Sequence, residues 1–271
     1  MVGNNAKTSG SEEVSGNITS NGYNLVGVNG NAGGFQTIAT DRVLAGEVST
    51  AITALGDYGG ATQTFALVPN SPAIDAGNNA STPANDQRGL ARIVNGTIDI
   101  GSFESRGFTF TTTGTPQSTT VNQAFSTPLA VTVSSIDNTP VNGGTITFTA
   151  PSSAATAAFS GLLTTTVAII NGVATAPTLT ANTKAGNYTV TATATGAATP
   201  ASFTLTNNPD VPVSTTLTNN PDVPVSTTAT SGTALSNVVN QAFKGANNSV
   251  GSQATKTLKD EAEEEKNLQF E

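Results

Sequence analysis

The chain of 271 residues has no cysteine, no histidine and no tryptophan. Without cysteine there is no disulfide framework, no thiolate nucleophile and no Cys-based metal site. Without histidine the commonest general base and metal ligand is missing. Ser-His-Asp, Cys-His and HExxH chemistries are therefore excluded within this chain. Neither a G-x-S-x-G elbow nor a phosphate-binding glycine loop occurs. Positive charge is scarce, with 10 Lys and Arg against 18 Asp and Glu and a net charge of −8. Nucleic acid is not an expected partner, because phosphate neutralisation needs clustered Lys and Arg. No apolar run reaches the roughly 18 residues of a membrane span, so no membrane span is expected in this chain. The start Met1-Val2-Gly3-Asn4-Asn5 lacks the basic and apolar regions of a signal peptide. A secreted or cell-surface location is expected, with an export signal upstream of this start.

What is present is the composition of an all-β protein. Gly, Asn, Thr, Ala and Val abound, and 27 Gly and 13 Pro punctuate the chain. Residues 1–106 read as short strands broken by Asn-Gly and Gly pairs, such as Val14–Ile18, Tyr23–Val28 and Thr62–Val68. Gly and Asn adopt the tight or left-handed corners between such strands at least cost. Thr40–Gly60 is ambiguous, since Val43, Leu44, Val48, Ile52 and Leu55 partly fit a helical spacing and also suit irregular coil edges.

Residues 107–206 carry only Asp137 and Lys184 as charges. Leu129, Val131 and Val133 alternate with Ala130, Thr132 and Ser134. Ile146 and Phe148 alternate with Thr145, Thr147 and Thr149, and Tyr188, Val190, Ala192 and Ala194 with Thr189 to Thr195. That period of two predicts strands with one apolar and one Thr face, packed as two sheets. Turn signals fall at Asn142-Gly143-Gly144, Asn171-Gly172 and Gly186-Asn187. Leu205–Thr216 and Leu217–Thr228 are identical 12-residue copies of LTNNPDVPVSTT. Their prolines predict an extended linker over 207–228. Residues 229–271 predict a mobile acidic tail with a marginal helix around Thr255–Leu268.

The candidate chemistry lies in residues 70–104, NSPAIDAGNNASTPANDQRGLARIVNGTIDIGSFE. Asp75, Asp86, Arg88, Arg92, Asp99 and Glu104 recur among turns there, with Asn95 at an Asn-Gly corner. One reading is a set of catalytic acids with arginines, as in carbohydrate-active enzymes. The other has Asp75 and Asp99 accepting backbone N–H bonds while Arg88 and Arg92 pair with nearby carboxylates. The second is favoured. A Ca²⁺ site in Asn78–Asp86 is conceivable from its oxygen donors, but no D-x-D-x-D-G loop is present. No catalytic, cofactor-binding or metal residue is assigned, and no cofactor is expected.

This stretch, with Leu55-Gly56-Asp57-Tyr58-Gly59-Gly60 and Thr62–Leu67 before it, resembles the end of the right-handed parallel β-helix in choice-of-anchor Q surface proteins. Phe65 and Tyr58 depart from that pattern, where the family often has His and Asn. The segment Asn171–Asn182 followed by Ala185–Ala192 resembles bacterial Ig-like repeats, without the Cys pair and Trp of antibody domains. The resemblances imply terminal β-helix coils and a cap over 1–106, truncated at the N-terminus from an upstream remainder, and an Ig-like sandwich over 107–206. They imply a non-enzymatic fragment of a large bacterial protein acting in display, spacing or adhesion. Partners would be cell-surface glycans or host or neighbouring surface proteins. The alternatives are the end of a β-helix polysaccharide lyase or hydrolase, with its active site in upstream coils, or a carbohydrate-binding module.

Overall fold

The computed structural model describes residues 16–27, 34–80, 82–210, 213–217 and 225–229. The protein is all-β, and its one helical element among the described residues is a 3-10 turn at Val48–Thr50. That turn is all that the helical spacing of Thr40–Gly60 produces: Leu44 and Ile52 enter the core while Val43 and Leu55 stay exposed. Four short strands open the described chain: β1 (Ile18–Thr19), β2 (Leu25–Val26), β3 (Phe35–Gln36) and β4 (Arg42–Val43). They pair in parallel, β1 with β3 and β2 with β4. In both pairs each residue meets the one 17 positions on, Ile18 with Phe35 and Leu25 with Arg42. The corner before β2 turns through Gly22 and Tyr23, both at positive φ. Buried Asp41 fixes it by accepting from the Asn24 and Ile38 N–H groups, each at 2.9 Å. Of the strand expected over Thr62–Val68, Thr64, Ala66 and Val68 do point inward, but only isolated bridges Gly56–Thr64 and Ile52–Leu67 form.

Ten strands follow: β5 (Phe108–Thr113), β6 (Gln117–Thr120), β7 (Ala130–Ser135), β8 (Thr145–Thr149), β9 (Ala157–Phe159), β10 (Thr164–Ala168), β11 (Val173–Thr175), β12 (Leu179–Ala181), β13 (Gly186–Thr193) and β14 (Ala201–Asn208). They make a five-stranded sheet in the order β10-β8-β13-β14-β6, a three-stranded sheet β11-β7-β5, and the pair β12-β9. Only β14 and β6 run parallel among these neighbours. The predicted alternation is realised: Val131, Val133, Ile146, Phe148, Tyr188, Val190 and Ala192 are buried, with threonines between them facing outward or partly so. Burying each large apolar side chain contributes about 1.5–3 kcal/mol. Phe148 packs at 5.8 Å from Phe203 and 6.2 Å from Phe159, ring centre to ring centre. Asn171-Gly172 and Gly143-Gly144 turn at positive φ as expected, whereas Gly186 begins β13 rather than a turn.

The change of composition at residue 107 is a change of surface chemistry. Leu25, Leu44, Ile52, Leu67, Ile74 and Phe103 share one continuous core with Phe108, Val131 and Phe148. The described residues up to Pro209 accordingly belong to one compact unit.

The described residues after Asp210 are two strands of a separate unit, β15 (Val213–Leu217) and β16 (Val225–Ala229). They pair antiparallel, Val213 opposite Ala229 and Leu217 opposite Val225. Each is the VSTT end of one repeat copy with the residue after it. The strands are extended, as the prolines predict, but they fold back on one another instead of running on. The start Met1–Ala6 and the helix expected around Thr255–Leu268 lie outside the described residues.

Candidate functional site

The charged motif folds into a buried polar network on irregular backbone, and each side chain is held by the turn it stabilises. The Asp86 Oδ1 atom accepts from the N–H groups of Arg88 at 2.8 Å and Leu90 at 3.1 Å, closing the turn that ends at Gly89. Its Oδ2 atom accepts from Arg88 Nε at 2.8 Å and from the Glu104 N–H at 3.2 Å. Burial alone raises the Asp86 pKa, but the Arg88 side chain and the backbone donors outweigh it and hold the group below its usual value.

The Arg88 Cζ atom lies over the face of Phe103, 3.6 Å from the ring centre. Phe103 in turn meets Tyr58 edge-on at 6.5 Å. The approach is tight: a Cβ on Gly60 would lie 2.8 Å from the Arg88 Cα. Arg88 Nη2 also donates to the Glu104 carbonyl. Its Nη1 reaches Asp137 Oδ1 at 3.3 Å, so the motif extends to an acid on the loop after β7. Asp137 Oδ2 accepts the Arg106 N–H at 3.2 Å as well.

Arg92 donates through Nη2 to the carbonyls of Asp99, at 3.1 Å, and Gly101. Its Nη1 makes no hydrogen bond and sits 3.7 Å from Glu104 Oε2 as an ion pair. Glu104 accepts the Asp99 N–H at 2.9 Å and the Val94 N–H at 3.1 Å. Burial nevertheless leaves its pKa above the ordinary value. Asp99, 1% exposed, accepts from the N–H groups of Asp75 at 2.7 Å and Ser105 at 2.6 Å. Among the described residues no cation pairs with its carboxylate. Burial therefore prevails, helped by the charges of Glu104 and Asp75, and pushes its pKa up to about 7.

The structural expectation for these residues holds for Arg88, Arg92 and Asp99. It fails for Asp75, which contributes its main-chain N–H at positive φ and leaves its carboxylate exposed. Asn95 turns at φ 55, as its Asn-Gly context predicts. Asp86, Asp99 and Glu104 are buried and committed to N–H groups and guanidinium, so none is open to a substrate. In Asn78–Asp86 two amide oxygens also have partners: Asn78 Oδ1 accepts the Ala80 N–H and Asn79 Oδ1 the Ile98 N–H. Among the described residues no group of three or more His, Cys, Asp or Glu is placed to hold a metal. The Thr-faced strands carry no exposed aromatic platform, because Tyr188 and Phe203 are buried.

Three contributors to this region escaped the sequence reading. Asp137 is one of them, and its signal was its isolation as the lone acid of residues 107–206. Asn70 is the second. Its Nδ2 donates to the Thr145 carbonyl at 3.1 Å, and its Oδ1 accepts the Thr195 N–H at 2.6 Å. The third is the turn Gly143-Gly144, whose Gly144 N–H donates to the Ser49 carbonyl at 3.0 Å. A Cβ on Gly143 or Gly144 would stand 2.4 Å from the Ser49 or Pro69 carbonyl oxygen, so only glycine permits this approach. Neither Asn70 nor the glycines carry a sequence signal for a contact partner so distant.

Comparison with protein-family models, with curated proteins and with solved structures returned no match in any of the three.

Proposed function

We propose that this chain is a non-enzymatic structural segment of a large bacterial secreted or cell-surface protein, acting in display, spacing or adhesion. In this reading residues up to 106 are terminal coils and cap of a parallel β-helix, and residues 107–206 are an Ig-like sandwich. The observation that carries it is the engagement of Asp86, Asp99 and Glu104, whose buried carboxylates all accept N–H bonds within the protein. Charges used this way fix loops geometrically and rigidify a joint. The constant step of 17 residues between parallel strands supports stacked coils. Repetition supports a spacing role: Gly114-Thr115, Ser118 and Val121–Phe125 recur in the same spacing as Gly232-Thr233, Ser236 and Val239–Phe243. That is the sequence of the sandwich's opening, met again after the 12-residue copies.

Antibodies against residues 107–208 test this on the cells that make the protein, alongside incubation of the full chain with a polysaccharide panel. Labelling of intact cells with no new reducing ends or unsaturated products is the expected result. Labelling only after permeabilisation, or cleavage of any polysaccharide, would overturn the proposal.

A further inference from the structure

The five-stranded sheet ends at β10, and no described residue pairs with the outer side of that strand. Its inner side is fixed by the register with β8, Thr164 opposite Thr149 and Ala168 opposite Thr145. The Ala150 N–H donates to the Leu163 carbonyl and the Ile169 N–H to the Gly144 carbonyl. Antiparallel bonding alternates along a strand. Odd-numbered residues of β10 therefore face β8, and Thr164, Thr166 and Ala168 direct their N–H and C=O groups outward. Both ends of this edge are closed by turn bonds, Leu162 with Phe159 and Ile170 with Val173.

Native sheets commonly shield such an edge with charge, proline or a bulge. None of these is present here. No Asp, Glu, Lys or Arg occurs between Asp137 and Lys184. The edge is instead flanked by apolar side chains, Leu162 at 66% and Ile170 at 67% exposure.

We infer that β10 pairs with β10 of a second copy of this chain, antiparallel about a twofold axis through Thr166. In that register Thr166 faces Thr166, and Thr164 faces Ala168, so every outward N–H meets an outward C=O. The same register sets the exposed Leu162 of one copy beside the exposed Ile170 of the other. A one-residue slip in strand position would set the outward groups of one copy opposite residues whose own N–H and C=O groups bond β8, and forfeit the bonds. The strand is thus self-complementary in hydrogen bonding and in apolar contact, as a twofold interface requires. The absence of local charge leaves only the long-range repulsion of two acidic chains, which salt screens over about 8 Å at physiological strength. This inference stands on the geometry of β10 and does not depend on a surface location.

Sedimentation equilibrium of the full chain tests it, with thermal unfolding to verify folding. A concentration-dependent dimer that tightens with added salt is expected. Thr166→Pro removes the outward N–H, which an edge strand tolerates, together with the hydroxyl bond to Thr147 at 3.0 Å, and should raise the dimer Kd about tenfold or more. Thr166→Lys should do the same by placing like charges face to face, and it keeps the test valid if the proline variant misfolds. Since the chain lacks cysteine, Thr166→Cys offers a positional readout. Facing Cα atoms of a bonded antiparallel pair lie about 5.5 Å apart, within disulfide range. Oxidation should cross-link Thr166→Cys but not Thr189→Cys, which sits exposed on the central strand β13. A chain that stays monomeric, an open polymer, a dimer indifferent to both Thr166→Pro and Thr166→Lys, or equal cross-linking at both positions would overturn the inference.

Discussion

The guanidinium of Arg88 and the carboxylate of Asp137 lie 3.3 Å apart with only 3% and 4% of their side chains exposed. They come from opposite sides of residue 107, so this pair bridges the charged motif and the nearly uncharged sheets. A buried ion whose partner is removed retains its desolvation cost without the compensating attraction. Arg88 keeps Asp86 at 2.8 Å, which limits the damage. Asp137→Ala should therefore lower the unfolding free energy by about 1.5–3 kcal/mol, the range for hydrogen bonds to charged groups. Urea unfolding of the full chain measures it. Asp137→Asn should recover part of the loss through the Arg106 N–H, and a variant as stable as the wild type would remove this pair from the joint.

Asn70 acts on the same joint without charge. Its side chain holds the start of β8 and the turn just after β13 together, while its own N–H donates to the Thr195 carbonyl at 3.1 Å. It does so at φ 64, a conformation that costs most residues with a Cβ roughly 1–2 kcal/mol and asparagine less. Asn70→Ala loses both the clamp and the tolerance, so a loss of about 2–4 kcal/mol is expected. Asn70→Gly keeps the backbone relaxed and should lose only the share due to the side chain. Chemical denaturation of the two variants separates the contributions, and equal losses would mean that strain plays no part.

Asn207 closes the end of the core between β13 and β14. It is 1% exposed and donates from Nδ2 to the carbonyls of Thr156 and Lys184, while its Oδ1 accepts from the Tyr188 hydroxyl at 2.9 Å. Burial raises the Tyr188 pKa, so the hydroxyl stays a donor. Tyr188→Phe leaves Asn207 Oδ1 short of a partner and should cost about 1–2 kcal/mol. Asn207→Ala strands several buried groups at once and should cost more, about 2–4 kcal/mol. The ordering of the two melting temperatures is the check: Tyr188→Phe falling below Asn207→Ala would contradict this account.

The strands of residues 107–206 were legible because a period of two survives wherever one face is buried and the other is Thr. Val131, Phe148, Val190 and Leu205 follow it without exception. The parallel pairing of β1 to β4 was legible only as a style of corner, since strands of two residues are too short to show a period. Within the motif, the arginines and Asp99 took their expected structural roles because charge in a Gly-rich turn region has few other destinations. Asp75 did not, because which end of a residue faces its partner depends on φ, which sequence does not display. Asp137, Asn70 and Gly143-Gly144 were illegible for a different reason. Their partners lie far along the chain, and only the packed core brings them together. The recurrence of Val121–Phe125 at Val239–Phe243 is visible in the sequence alone, beside the more conspicuous 12-residue copies.

The pH dependence of stability follows from two carboxylates shifted in opposite directions. Asp99 is pushed up to about 7 by burial, so between its unfolded value of 3.8 and about 7 the native state binds more protons than the unfolded state. Stability from this group is fully present below the unfolded value and is lost as pH rises through about 7. The loss amounts to at most roughly 4 kcal/mol at 1.36 kcal/mol per unit, and Glu104, also raised, acts with the same sign. Asp41 works oppositely. Its burial is outweighed by the Ser20 hydroxyl and the Ile38 and Asn24 N–H groups, which bring it down to about 2. Its stabilisation is present above the unfolded value and is lost as pH falls toward about 2, with Asp86 contributing in the same direction. Melting temperature should therefore peak at about pH 4, where the Asp41 contribution is complete and the Asp99 loss has only begun, and decline on both sides. Asp99→Asn cannot ionise, but its amide turns an N–H toward one of the two backbone donors at Asp75 and Ser105. The variant should melt lower than the wild type at pH 5 and lose less between pH 5 and pH 8. A wild-type melting temperature that rises across that interval, or a variant that falls as steeply, would show that Asp99 is ionised throughout and that its two N–H bonds outweigh its burial.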